Sequence, residues 1–180
     1  MASGYIQIYS KGRNMGMQSA PVIIDGYINK QLLTDAYIDW LDEFAYDSFT
    51  TFTFRAPYKD YFSDTQVDSI FKDFMWRMNR RICGHHFSNR DMRVKLVYII
   101  DEDAYDGKHI HTLIEQSDRL HNKSHEFNAI LLHEWRKTHR STGHIDYRTY
   151  DKNLRARAYL TGKDIYKGGK LCLEYFYPKY

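Results

Sequence analysis

Asp106-Gly107 stands between two strand-like runs, RVKLVYIIDE (Arg93 to Glu102) and HIHTLIE (His109 to Glu115). Asp-Gly readily adopts the left-handed backbone angles of a tight β-turn, so the dipeptide commits this part of the chain to an antiparallel hairpin. With Asp106 and Gly107 as the two turn residues, Tyr105 pairs with Lys108, Ala104 with His109, Asp103 with Ile110 and Glu102 with His111. Side chains alternate between the faces of a strand, so this register sets Glu102 on the face of His109 and His111 and turns Asp101 and Asp103 away. Two imidazoles and one carboxylate form a nitrogen- and oxygen-rich set with open positions. Such a set suits Mn²⁺ or Mg²⁺ bridging to a phosphate and is less selective against Zn²⁺. With nine histidines in 180 residues, His-x-His alone is a weak signal, and two strand histidines with ordinary hydrogen bonds explain it equally well.

The rest of the pattern mixes helices with strands. Tyr37, Ile38, Leu41, Phe44 and Ala45 recur at helical spacing behind Thr34, which is expected to cap a short helix running to about Tyr46. FTTFTFR, Phe49 to Arg55, alternates aromatics with threonine as a strand does, and Pro57 stops it. Ser63-Asp-Thr-Gln66 has the form of a capping box, followed by Val67, Ile70, Phe71, Phe74, Met75, Met78 and Ile82 on one helical face. Ser124 is expected to cap a second helix bearing Phe127, Ile130, Leu131 and Trp135, broken at Gly143. Ile145 to Tyr150 reads as a strand, Asn153 to about Ile165 as a helix, and LCLEYFY, Leu171 to Tyr177, as a final strand. The order places the chain in the α+β class, with consecutive strands able to pair antiparallel.

At 180 residues and 21.6 kDa the chain has room for one domain with a sizeable core. Residues 1–30 lack periodicity and read as a flexible arm before a domain of residues 31–180. The two cysteines, Cys83 and Cys172, are far apart and fit neither a disulfide framework nor a thiolate zinc site, which suggests an intracellular protein. No run is long enough for a membrane span, and no membrane partner is expected.

The formal charge is only +3, yet the last third carries most of the positive excess. Arg136, Lys137, Arg140, Arg148, Lys152, Arg155, Arg157 and Lys163 can track a nucleic-acid backbone, with Tyr147 or Tyr150 available for stacking; a solvated basic face is the alternative. Tyr159 and Lys163 are four apart on the expected helix and share a face. A tyrosine must lose its proton to attack phosphorus, and a nearby ammonium or metal ion favours the phenolate; an aromatic packed on the core beside an exposed lysine is the alternative here.

The Thr/Phe strand ending in Phe52-Thr53-Phe54-Arg55, the His109-Ile110-His111 strand and the helix with Tyr159 and Lys163 come in an order that resembles the HUH endonucleases. More narrowly, the chain resembles single-tyrosine replication initiators (Rep proteins) of small circular genomes, over about residues 49–165. The resemblance implies a ferredoxin/RRM-like five-stranded antiparallel sheet with the histidine strand at its centre and helices packed on it. It also implies a divalent Mn²⁺ or Mg²⁺ ion held by His109, His111 and Glu102, with Tyr159 as nucleophile and Lys163 as its charge-stabilising partner. Phe52, Thr53, Phe54 and Arg55 would help contact DNA. The implied activity is metal-dependent nicking and rejoining of single-stranded DNA at a replication origin through a 5′-phosphotyrosine, initiating rolling-circle replication of a plasmid, phage or virus. A host helicase and polymerase would be partners, in the cytoplasm of a prokaryotic host rather than a nucleus. The Tyr-x-x-x-Lys spacing is one residue longer than in many viral members. A transposase or relaxase would need the same residues, and a non-catalytic single-strand-binding module would need neither metal nor Tyr159.

Overall fold

The computed structural model describes residues 23–24, 27–28, 32, 34–35, 38–39, 41, 45–55, 62–88, 92–103, 107–116, 120, 123–151 and 170–172. Two short strands, β1 (Ile23–Ile24) and β2 (Tyr27–Ile28), pair antiparallel within the segment expected to be an arm. The body of the fold is built from β3 (Ser48–Phe54), α1 (Asp64–Cys83), β4 (Lys95–Asp103), β5 (Gly107–Glu115), α2 (Ser124–Arg136) and β6 (Ser141–Thr149). The three-residue β7 (Lys170–Cys172) pairs with β4, and the sheet order is β6-β3-β5-β4-β7, antiparallel throughout. The class is therefore α+β: the sheet of the described residues has four long antiparallel strands and a short edge strand, α1 and α2 pack on it, and the histidine strand β5 lies in the middle. No helix among the described residues is long and apolar enough to cross a membrane.

Strand alternation divides the sheet into two unlike faces. Phe52 and Phe54 of β3, Tyr98 and Ile100 of β4 and Ile110 and Ile114 of β5 face the helices. There they meet Val67, Phe71, Phe74, Met75 and Met78 of α1 and Phe127, Leu131 and Trp135 of α2 in one buried cluster. The ring of Phe52 is the hub, with centroids 5.4 Å from Phe71, 5.2 Å from Phe74 and 4.9 Å from Trp135. Edge-to-face packing at these distances adds to the area each ring buries. The opposite face carries a smaller apolar cluster, Leu41 with Val97, Ile99 and Leu113, at one end and the polar residues of the candidate site at the other. Thr34 is buried and itself helical, as is Leu32 before it, so it does not act as the cap.

α1 begins as its sequence predicts. The Ser63 side chain accepts from the Gln66 backbone, and the Gln66 side chain accepts from the Ser63 backbone N–H at 2.9 Å. α2 differs, because Lys123 is its N-cap and Ser124 its first helical residue, whose Oγ accepts from Gln116 Nε2 at 3.4 Å. Gly143 lies within β6, at φ +78, beside the register shift between Phe52 and Phe54. A left-handed residue at a strand irregularity is the usual place for glycine. Buried Glu134 ties the two helices together, 2.9 Å from Arg81 and 3.6 Å from Arg77. Burial pushes its carboxyl up, but the Arg81 hydrogen bond and the charges of Lys137 and Arg81 outweigh this and hold it below the usual carboxylate range.

Candidate metal centre

The hairpin forms, with a register three residues away from the expected one. β4 and β5 pair Asp101 with His109, Glu102 with Lys108 and Asp103 with Gly107, so three residues, Ala104 to Asp106, join the last pair. Gly107 takes φ +62, the left-handed residue that closes a three-residue hairpin loop. A shift by an odd number of residues reverses which acid shares the histidine face. Glu102 is therefore corrected to Asp101 as the third candidate ligand. Glu102 is exposed on the other face, where Lys108 Nζ donates to it at 2.8 Å and to Asp64 of α1 at 2.6 Å.

Asp101, His109 and His111 are all buried, and one ligand atom from each lies within 4.8 Å of the others. The Nε2 atoms of His109 and His111 stand 3.5 Å and 3.7 Å from the same carboxylate oxygen, Asp101 Oδ2. Ligand atoms each about 2.1 Å from a shared ion sit about 3.0–3.5 Å apart at octahedral to tetrahedral angles, so slight contraction would close the set on an ion. The rings lie 81° to one another with centroids 4.6 Å apart, and both turn Nε2 toward the Asp101 carboxylate.

The distal nitrogens are held as well. His109 Nδ1 donates to the Gly107 carbonyl at 2.9 Å, which leaves Nε2 of the neutral ring as the lone-pair nitrogen. His111 Nδ1 shares a 2.9 Å hydrogen bond with Thr51 Oγ1 from the neighbouring strand, and Phe49 stacks on the ring at 5.6 Å. Orienting partners of this kind fix the tautomer and ring angle of metal-ligating histidines. The donor set thus fits a divalent ion, and Asp101, His109 and His111 can hold one. Replacing Thr51 by Val is expected to lower Mn²⁺ affinity on the order of tenfold while Thr51→Ser preserves it, read by titration calorimetry.

The other sequence candidates are scattered. Phe52 is fully buried and Phe54 nearly so, both in the helix-side core, which corrects their assignment as DNA contacts. Thr53 is half-buried and shares a 2.9 Å hydrogen bond with Thr142 on the metal-bearing face, and Arg55 is exposed at the end of β3. Arg136 and Lys137 end α2 on the far side of the sheet, where Arg136 Nε donates to the Gly143 carbonyl and Lys137 lies 3.7 Å from Glu134. They do not join one stripe with the metal centre. Arg140 lies over the Phe62 ring at 5.1 Å. Arg148 shares the metal-bearing face, opposite Phe49, and donates to Asp146 at 2.7 Å. Tyr147 packs against the helix-side core. Tyr150 meets Tyr46 edge-on at 5.6 Å, and burial together with the nearby Asp151 charge pushes its hydroxyl up to about 12. Tyr159, Lys163, Lys152, Arg155 and Arg157 lie outside the described residues.

Two contributors escaped the sequence reading. Asp101 was hidden by turn length, although Asp-Gly also suits a three-residue loop closed by a left-handed glycine. Thr51 was marked only by its place in the alternation of FTTFTFR. No family model, curated protein or solved structure matches the chain, and the case for metal binding rests on the donor atoms of Asp101, His109 and His111.

Proposed function

We propose that the chain is a metal-dependent endonuclease of the HUH type, which nicks and rejoins single-stranded DNA and initiates rolling-circle replication of a small genome. The observation that carries this reading is the convergence of two histidine Nε2 atoms from the middle strand on one carboxylate of the adjacent strand. The antiparallel sheet with helices on one face is the architecture such a nuclease needs, and it leaves the other face to hold a substrate. A bound Mn²⁺ or Mg²⁺ ion would polarise the scissile phosphodiester.

Tyr159 supplies the nucleophile in this reading. Its phenolate oxygen bonds to phosphorus, the bond from phosphorus to the 3′-oxygen breaks, and that oxygen takes a proton to become a free 3′-hydroxyl. The 5′-phosphate remains on the tyrosine, and the reverse step rejoins the strand. Lys163 stabilises the phenolate or the leaving oxygen. The segment between β6 and β7, which contains both residues, joins opposite edges of the sheet. A transposase or relaxase would use the same atoms, and the neighbouring DNA, an origin hairpin or terminal repeats, distinguishes them.

The test is incubation of the protein with Mn²⁺ and a library of labelled single-stranded stem-loops, followed by a denaturing gel. The expected result is a protein-linked band that Tyr159→Phe abolishes. An adduct that survives in Tyr159→Phe removes the nucleophile assignment. Absence of any adduct with wild type removes the catalytic reading and leaves a binding module.

A further inference from the structure

α1 buries Val67, Phe71, Phe74, Met75, Met78 and Ile82 against the core and turns Trp76 outward, 45% exposed. Among the described residues only Leu32 is a comparably exposed large apolar side chain, and an indole left in solvent invites a ligand more strongly than a lone leucine does. Arg80, one turn further along α1, lies over the Trp76 ring with its guanidinium carbon 5.1 Å from the centroid. Phe87, in the short 3₁₀ turn Gly84–Ser88 that follows α1, meets Trp76 edge-on at 6.1 Å. Arg93 covers Phe87 at 4.4 Å, its Nε donating to the Phe87 carbonyl at 2.7 Å. Cation, ring, ring and cation therefore follow one another across two elements, with exposed His85 and His86 alongside.

The arginines here differ from their neighbours. Arg77 and Arg81 of the same helix are paired with Asp73 and Glu134. Among the described residues Arg80 and Arg93 meet no carboxylate. A guanidinium lying on an aromatic face is oriented without being neutralised, and its N–H groups remain available to an anion. An arginine four residues from a tryptophan can serve merely to shield it, but that does not account for the second ring–cation pair on a different element or for the missing counter-charges.

We propose that this patch binds single-stranded nucleic acid, with a base stacked against Trp76 and backbone phosphates on Arg80 and Arg93. It lies on the helix side of the sheet, away from Asp101, His109 and His111, and does not depend on the metal reading. Unneutralised cations interleaved with aromatic faces match a polyanion that also carries flat rings. An acidic peptide would satisfy the cations while leaving the indole without a role.

The experiment is fluorescence anisotropy of a labelled oligothymidylate of about 20 nucleotides with the full chain in EDTA, so that metal-dependent contacts are silent. Wild type is expected to bind under these conditions. Trp76→Ala should weaken binding about tenfold or more, while Trp76→Phe, which keeps a ring, stays within about threefold of wild type. Arg80→Gln/Arg93→Gln should flatten the dependence of log K on log salt by about 1.4, the share of two phosphates on a single strand. Wild-type affinity in Trp76→Ala and in the double glutamine variant overturns the proposal, as does equal loss in Trp76→Phe and Trp76→Ala. Displacement of the oligonucleotide by polyglutamate as readily as by unlabelled oligothymidylate also overturns it, in favour of an acidic protein surface. Absence of wild-type binding in EDTA overturns the separation of the two sites, whatever the adduct assay shows at Tyr159.

Discussion

Asp101→Ala is expected to lower Mn²⁺ affinity about 100-fold or more, while Glu102→Ala leaves it within about threefold. Loss of an outer-shell partner typically costs about 10–100-fold, and removal of the charged ligand itself should cost at least the top of that range. The contrast is sharp because the two residues are neighbours with the same functional group. Only Asp101 lies across from His109, with Oδ2 facing both Nε2 atoms, whereas Glu102 reaches across the other face to Lys108. Titration calorimetry of the two variants with Mn²⁺ decides it. The reverse ranking would restore the two-residue turn, and equal small effects would leave Asp101, His109 and His111 as a buried hydrogen-bonded cluster without an ion.

Phe52→Ala is expected to destabilise the protein by about 3–5 kcal/mol, the range for emptying a buried aromatic position. Phe52 is fully buried, and its ring touches both helices through Phe71, Phe74 and Trp135, so the surrounding rings cannot collapse into the gap without moving α1 and α2 off the sheet. Arg55→Ala, at the exposed end of the same strand, should stay within about 0.5 kcal/mol of wild type. Urea denaturation checks both. A small effect at Phe52 would mean that this side chain is a surface contact after all and that the helix-side core is assembled differently.

The elements with strong local signals were legible in the sequence. The capping box at Ser63 and the apolar spacing from Val67 to Ile82 reproduce α1, because capping and one buried stripe suffice to set a helix and its facing. The alternation of FTTFTFR gives β3, and His109 and His111 do share a face of the central strand. What the sequence could not give was register. Asp-Gly is compatible with turns of two and of three residues, and nothing local to Asp101-Glu102-Asp103 distinguishes three adjacent acids until the partner strand is aligned. The same alternation that revealed β3 left its facing open. Phe52 and Phe54 are as consistent with a stacking surface as with a core until two helices are seen to cover them. Arg136 and Lys137 share a basic stretch with Arg148 in sequence, but the turn from α2 into β6 sends them to opposite faces of the sheet.

Hairpin tips are ordinarily where chains gain and lose residues at little cost. The Ala104–Asp106 loop has no such freedom. With the three-residue turn kept, one residue gained would slide Glu102 into the place of Asp101, lengthening the carboxylate arm by a methylene and carrying the Lys108 cross-strand partner to the wrong side. One residue lost would bring in Ile100, which offers no ligand atom. A slip one way therefore changes the reach of the third donor and a slip the other way removes it, so loop length in this hairpin sets both the geometry and the presence of the carboxylate.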